Sequence, residues 1–275
     1  KSLTSTETDM ASTPININSL NANTNLDAIF TTGKAIFQQS QGNLNLTGTI
    51  FVDDLDMDVL AGSLSQTEGA TLTVTNGINM TSSGGMALSS IASQDGSIAL
   101  IVGGALVDAS STRESAIITT NNTDATVSLQ ASSIGTDSEI GEIEVKSNHI
   151  ASVLATTGGA YVEVMLTSDL GVATAMGDVV ITQTRGDLTI TDQVLSTDGA
   201  VTITADGNLQ MASASSLTAR DGVNLTAEDG DLGLTAVTVT GSGTKTAISS
   251  FEATGDILDV NPWVDGPSLS SVDGW

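Results

Sequence analysis

One short phrase recurs through this chain and restricts what it can fold into. It is a glycine, any residue, an apolar residue, any residue and an apolar residue. It reads Gly177-Asp-Val-Val-Ile, Gly186-Asp-Leu-Thr-Ile, Gly199-Ala-Val-Thr-Ile, Gly207-Asn-Leu-Gln-Met and Gly230-Asp-Leu-Gly-Leu, with Gly222-Val-Asn-Leu shifted by one residue. The glycines form two series, 177, 199, 222 and 186, 207, 230, and a third apolar patch follows each second phrase at Val194-Leu195, Leu217 and Val237 with Val239. One repeat is therefore about 22 residues long and holds three short strands. Alternation puts every second side chain on one face: Val179 and Ile181 one way, Asp178, Val180 and Thr182 the other.

Strands this short cannot make an independent sheet. Stacked at a fixed period, each pairs with its equivalent one repeat away, and the inward residues join into one core. A β-sandwich calls for longer strands at irregular spacing, and a propeller blade needs roughly 40 residues. The fold expected is all-β: a parallel β-helix, or β-solenoid, with three short strands per coil of about 18–23 residues. Turns are expected at Asp198-Gly199, Asp206-Gly207, Asp221-Gly222 and Asp229-Gly230-Asp231, with glycine supplying positive φ. The outward positions are largely Thr and Ser, and Thr suits a solvated strand face.

Further phrases start at Gly42, Gly69, Gly77, Gly85, Gly96 and Gly104, and the last is Gly255-Asp-Ile-Leu-Asp-Val. Residues 42–260 are read as the solenoid. Residues 1–41, with Phe30 and Phe37, are read as an N-terminal cap, a linker or an imperfect first coil; residues 261–275, with both Trp, as a C-terminal cap or exit segment. The longest departures from the phrase, Phe51 to Gly69 and Ser110 to Asn122, are expected to be loops or bulges.

The net charge is −25, from 32 acids against 7 bases. That argues against nucleic acid and anionic membrane as partners. No run reaches the ~18 apolar residues of a membrane-spanning helix. The chain has no Cys, which in an extracellular protein of this length suggests a bacterial or phage exterior. The sequence opens at Lys1 rather than at an initiator Met, which reads as a processed form or a piece of a longer chain.

Runs such as Gly186-Asp-Leu-Thr-Ile-Thr, Ser196-Thr-Asp-Gly-Ala-Val-Thr-Ile-Thr-Ala-Asp-Gly-Asn-Leu and Ala219-Arg-Asp-Gly-Val-Asn-Leu-Thr-Ala resemble the repeats of filamentous-haemagglutinin-type adhesins, over roughly residues 69 to 258. The resemblance implies a right-handed β-helical shaft, a secreted or cell-surface location and a structural or adhesive role. The partners it implies are other surface proteins, glycans or neighbouring copies of the chain.

The densest acidic run is Phe51-Val-Asp-Asp-Leu-Asp-Met-Asp-Val-Leu60. On a strand Asp54, Asp56 and Asp58 share one face, roughly 6.6 Å apart, and repel unless solvated or bridged by a cation. Calcium accepts such oxygen ligands, so these three are the candidate metal site; the spacing is not that of an EF-hand. Glu228-Asp229-Gly230-Asp231 reads as turn chemistry. His149 is the single histidine, and no Ser-His-Asp arrangement can be built on it. The bases Lys34, Arg113, Lys146, Arg185, Arg220 and Lys245 are scattered, and none lies in an acidic cluster along the chain. Four Asn-X-Ser/Thr sequons, at Asn45, Asn79, Asn121 and Asn224, are expected by chance in so Thr- and Asn-rich a chain. No enzyme is expected. The alternatives are a self-assembling filament subunit and a polysaccharide-active β-helix enzyme, which would set carboxylates on neighbouring coils of one face.

Overall fold

The computed structural model describes residues 14–20, 23–110, 117–138, 141–241, 249–260 and 269–271. Within them lie 31 strands and no helix. Every strand pairing is parallel, and the strands stack as a β-solenoid of about 11 turns. One sheet carries an unbroken path of twelve rungs from Ile15–Ser19 to Ile257–Asp259.

Coil length is read from the register. Ile78 pairs with Ile98, 20 residues on, and Leu170 with Ile190, again 20. In the second sheet Ala160 pairs with Val179, 19 on, and Val179 with Val201, 22 on. Several coil steps exceed the range expected from the phrase, among them Ile118 to Val145, 27 on, Ile134 to Ala160, 26 on, and Val237 to Leu269, 32 on. Ile98 pairs with Val127, 29 on, across the stretch holding 111–116; Leu232 pairs with Ile257, 25 on, across the stretch holding 242–248. A solenoid tolerates this because extra residues bulge at corners and leave the ladder intact.

The number of strands per coil also changes along the stack. Leu44–Val52 is one nine-residue strand, yet its first half pairs with Leu64–Gln66 and its second half with Thr71–Val74. Farther on, Ala160 stacks on Ile134 while Val162–Val164 stacks on Ile143–Val145, so two strands of one coil continue into a single strand of the next. Ser168–Ala175 then divides into Leu188–Ile190 and Gln193–Ser196. The three-strand coil read from 177–239 thus alternates with coils of two long strands.

Ile15–Ser19, Thr24–Phe30 and Lys34–Gln39 are strands of the same stack. Ile15–Ser19 pairs with Lys34–Gln39, which pairs with Asp54–Val59. Regular stacking among the described residues therefore begins at Ile15, not at 42. The stretch from Phe51 to Gly69, expected to loop out, instead holds the end of one strand and two more, Asp54–Val59 and Leu64–Gln66. The aspartates of Asp54–Val59 occupy only its outward positions, so they leave its buried face apolar. Ser110 to Asn122 falls in the 29-residue coil, where 111–116 lie outside the described residues. So do 261–268; Leu269–Ser271 pairs with Ala236–Val239.

The core is a column of Leu, Ile, Val, Ala and Met, with Phe37 as its one large aromatic among the described residues. The inward phase matches the phrase: Val179, Ile181, Ile190 and Ile203 are buried, while Val180, Thr182, Thr189 and Thr202 are half-exposed.

The corners explain why the phrase opens on Gly-Asp or Gly-Asn. Asn208 N–H donates to Asp187 Oδ1 at 2.8 Å, Asp231 N–H to Asn208 Oδ1 at 2.8 Å, and Asp256 N–H to Asp231 Oδ1 at 2.8 Å. Each side chain thus satisfies a backbone donor one coil away. The glycine before it must lie against that side chain: a Cβ on Gly207 would sit 2.5 Å from Asp187 Oδ1. The expected positive φ holds at Gly222 but not at Gly199, Gly207 or Gly230. At those three, close approach of the neighbouring coil excludes a side chain, whatever the backbone angle.

Candidate functional site: carboxylates stacked across coils

Parallel stacking brings residues 19 to 32 positions apart in the sequence to one strand spacing, about 4.8 Å. Three groups of ionisable residues arise in this way.

The first is the aspartate stripe. Asp54, Asp56 and Asp58 point outward and Leu55, Met57 and Val59 inward, as expected. The coil before sets Lys34, Ile36 and Gln38 beside the three acids. Lys34 Nζ forms an ion pair with Asp56. That hydrogen bond, and then the charges of Asp56 and Asp54, hold the Lys34 pKa above its usual value. The coil after supplies donors: Thr81 Oγ1 donates to Asp58 Oδ1 at 2.5 Å, Asn76 Nδ2 to Asp54 Oδ2 at 3.3 Å and Gly77 N–H to Asp54 Oδ1 at 3.4 Å. Each acid of the candidate calcium site therefore has a partner within the protein. Among the described residues no group of three or more His, Cys, Asp or Glu is placed to hold a metal ion. The bases are also less scattered than the sequence suggests. Lys34 joins this stripe, and Arg220 bonds Asp198 at 2.6 Å across one coil.

A calcium titration tests the stripe. Millimolar calcium is expected to raise the melting temperature of the parent and of Asp56→Ala equally, by screening the −25 charge. A rise confined to the parent would establish a bound ion through Asp56 instead. Loss of the exposed Lys34 pair should itself cost little stability, because solvent screens it.

The second group surrounds His149. Its Nδ1 lies 3.2 Å from Asp169 Oδ2, the register partner one coil on. The pair lines an open cleft of about 240 Å³ with Thr123, Asp124, Asn148 and Thr167. Ser168 borders the cleft too, but its hydroxyl is engaged by the carbonyls of Ser147 and Leu166. No Ser-His-Asp relay is assembled there.

The third group escaped sequence reasoning. Glu144 and Glu163 are direct register partners on Ile143–Lys146 and Ala160–Val164. Both occupy outward positions, yet they are only 1% and 5% exposed. No other residue hydrogen-bonds either carboxylate oxygen of Glu144, and its own backbone N–H is the one group that favours the charged form. Burial pushes its pKa up to about 7, and the charges of Asp108, Glu163 and Glu142 push the same way. Burial likewise raises the pKa of Asp108. In the sequence, Ile143-Glu-Val and Val162-Glu-Val look like ordinary strands with solvated acids. Only the 19-residue register between them shows the stacking.

The acidic turn Glu228-Asp229-Gly230-Asp231 is a corner: Glu228 N–H bonds Ala205 O, Asp229 N–H bonds Asp206 O, and Asp231 belongs to the corner ladder. Arg113 and Lys245 lie outside the described residues. No family model, curated protein or solved structure matches this chain.

Proposed function

We propose that the chain is a non-catalytic shaft segment of an extracellular bacterial surface protein or fibre, serving adhesion by holding other parts at a distance. The observation that carries this reading is the unbroken path of twelve rungs over one continuous aliphatic column. At about 4.8 Å per rung its eleven steps span about 50 Å. The Thr-, Ser- and Asp-rich exterior suits solvent, and the −25 charge disfavours nucleic acid and anionic membrane as partners. Surface proteins, glycans or further copies of the chain fit better. The repeats resembling those of haemagglutinin-type adhesins point the same way. The test is antibody labelling of intact against lysed source cells. The reading expects labelling of intact cells; signal only after lysis contradicts it.

One observation favours the filament variant of this reading. Among the described residues the last rung of the twelve-rung path leaves Ile257 and Leu258 54% and 42% exposed, and an open strand edge invites further strands. Electron micrographs at high protein concentration should then show end-to-end rods; uniform single particles count against assembly. The stacked Glu144 and Glu163 do not form an open sugar cleft, because both are buried. Release of reducing ends or unsaturated uronides from polysaccharides would nevertheless overturn the non-catalytic reading.

A further inference from the structure

We propose that Glu144, stacked beside Glu163, keeps its proton in the folded chain and makes a pH-sensitive seam between adjacent coils. Two independent features of the geometry carry this. The parallel register sets the two side chains on neighbouring strands, and both are almost fully buried. In addition, no other residue donates to either oxygen of Glu144, and only its own backbone N–H favours its charged form, so an ionised Glu144 would be a poorly compensated buried charge. An acid so placed avoids a buried charge by keeping its proton.

The surrounding charges reinforce this. Asp108, from Ala105–Asp108, and Glu142, just before the Glu144 strand, both disfavour ionisation of Glu144. The strand Ile118–Thr120 on the other side contributes no charged residue, and the preceding Ile117 N–H bonds the Glu144 carbonyl. Lys146, two residues along the Glu144 strand, is exposed. Arg113 and Glu114 lie outside the described residues.

The sign follows from linkage. Folding raises the Glu144 pKa from 4.5 to about 7, so between those values the folded state binds the extra proton. Stability from this site is full below pH 4.5, falls as pH rises through the window, and is lost above about 7. Each unfolding event then releases close to one proton, and the unfolding equilibrium constant rises nearly tenfold per pH unit.

The experiment is a set of urea melts of the full chain between pH 4.5 and 8.5, for the parent, Glu144→Gln and Glu163→Gln. The parent should show the one-proton slope. Glu144→Gln should lose that component and exceed the parent in stability at pH 8, because a neutral amide replaces a buried charge. Glu163→Gln should move the step to lower pH by removing a neighbouring charge. Infrared difference spectra of the parent read a protonated carboxyl directly, without any substitution. A Glu144→Gln slope equal to the parent's, or no protonated carboxyl in the parent at pH 6, would overturn the proposal.

Discussion

Ile190→Ala and Ile203→Ala should each lower stability by roughly 2–5 kcal/mol, through lost transfer energy and the cavity left behind. Ile190 lies in the core column between Leu170 and Met211, and Ile203 between Ile181 and Leu225. Both are fully buried. The loss at one rung weakens its contacts with both neighbours, so it should spread along the stack. Thr189 and Thr202, the adjacent outward residues, are half-exposed. Their replacement by Ala should change stability by no more than about 0.5 kcal/mol. Urea melts of the four variants beside the parent decide the matter. Greater sensitivity at the threonines would place the strand phase one residue off and invert every inward and outward assignment.

Gly96→Ala should be severely destabilising, and Gly77→Ala nearly silent. Both glycines open a phrase, one coil apart, but Gly77 directly precedes Ile78 whereas Gly96 stands one residue farther from Ile98, so Gly77 lies beside Ser97 and Gly96 beside Asn76. A Cβ on Gly96 would sit 1.9 Å from the carbonyl oxygen of Asn76 and 2.8 Å from the backbone nitrogen of Gly77. Those atoms are backbone and cannot rotate aside, so the coils must separate locally. Overpacking of this kind typically costs about 1–3 kcal/mol, and more where neither side can yield. A Cβ on Gly77 meets only Ser97 O, at 3.7 Å, which is ordinary contact. There the smaller conformational freedom of alanine in the unfolded chain should offset any loss. Thermal melts of the two variants provide the comparison. Equal destabilisation would mean that the coil spacing at this corner is wrong.

These two expectations mark where the sequence is informative and where it is not. The strand phase was legible because burial on one face forces strict alternation, as Val179, Ile181, Ile190 and Ile203 show. The solenoid class was legible because the phrase repeats at nearly constant period. The role of each glycine was not, because close approach is a relation between coils: Gly207 is needed on account of the Asp187 side chain, 20 residues earlier. Internal amides were hidden for the same reason. Gln66 reads as a polar strand end, yet it is buried, donating to Ala70 O and Ser90 O and accepting from the amides of Ser89 and Ser90. The switch between two and three strands per coil leaves no local mark, since Leu44–Val52 divides only in its pairing with the next coil.

The acids show the same division. The sequence placed Asp54, Asp56 and Asp58 on one outward face, and they lie there. It could not supply Lys34, Asn76 and Thr81, which come from the coils on either side. Nor could it find Glu144 and Glu163, whose spacing carries meaning only once the 19-residue register is known.

The central claim is one rigid, in-register stack, and spin-label distances along one outward column test it most directly. The chain has no Cys, so labels can be placed singly and in pairs. Thr182, Thr204 and Thr226 are successive register partners. Thr71 occupies the same column, one residue before Leu72, which connects through Ile91, Ile118, Val145 and Val164 to Gln183. With Thr71→Cys as the fixed site, Thr182→Cys, Thr204→Cys and Thr226→Cys lie five, six and seven coil steps away. The expected distances are about 24, 29 and 34 Å, rising by about 4.8 Å per step, with narrow distributions. Distances that fail to rise in equal steps, or that spread broadly, would contradict a continuous shaft.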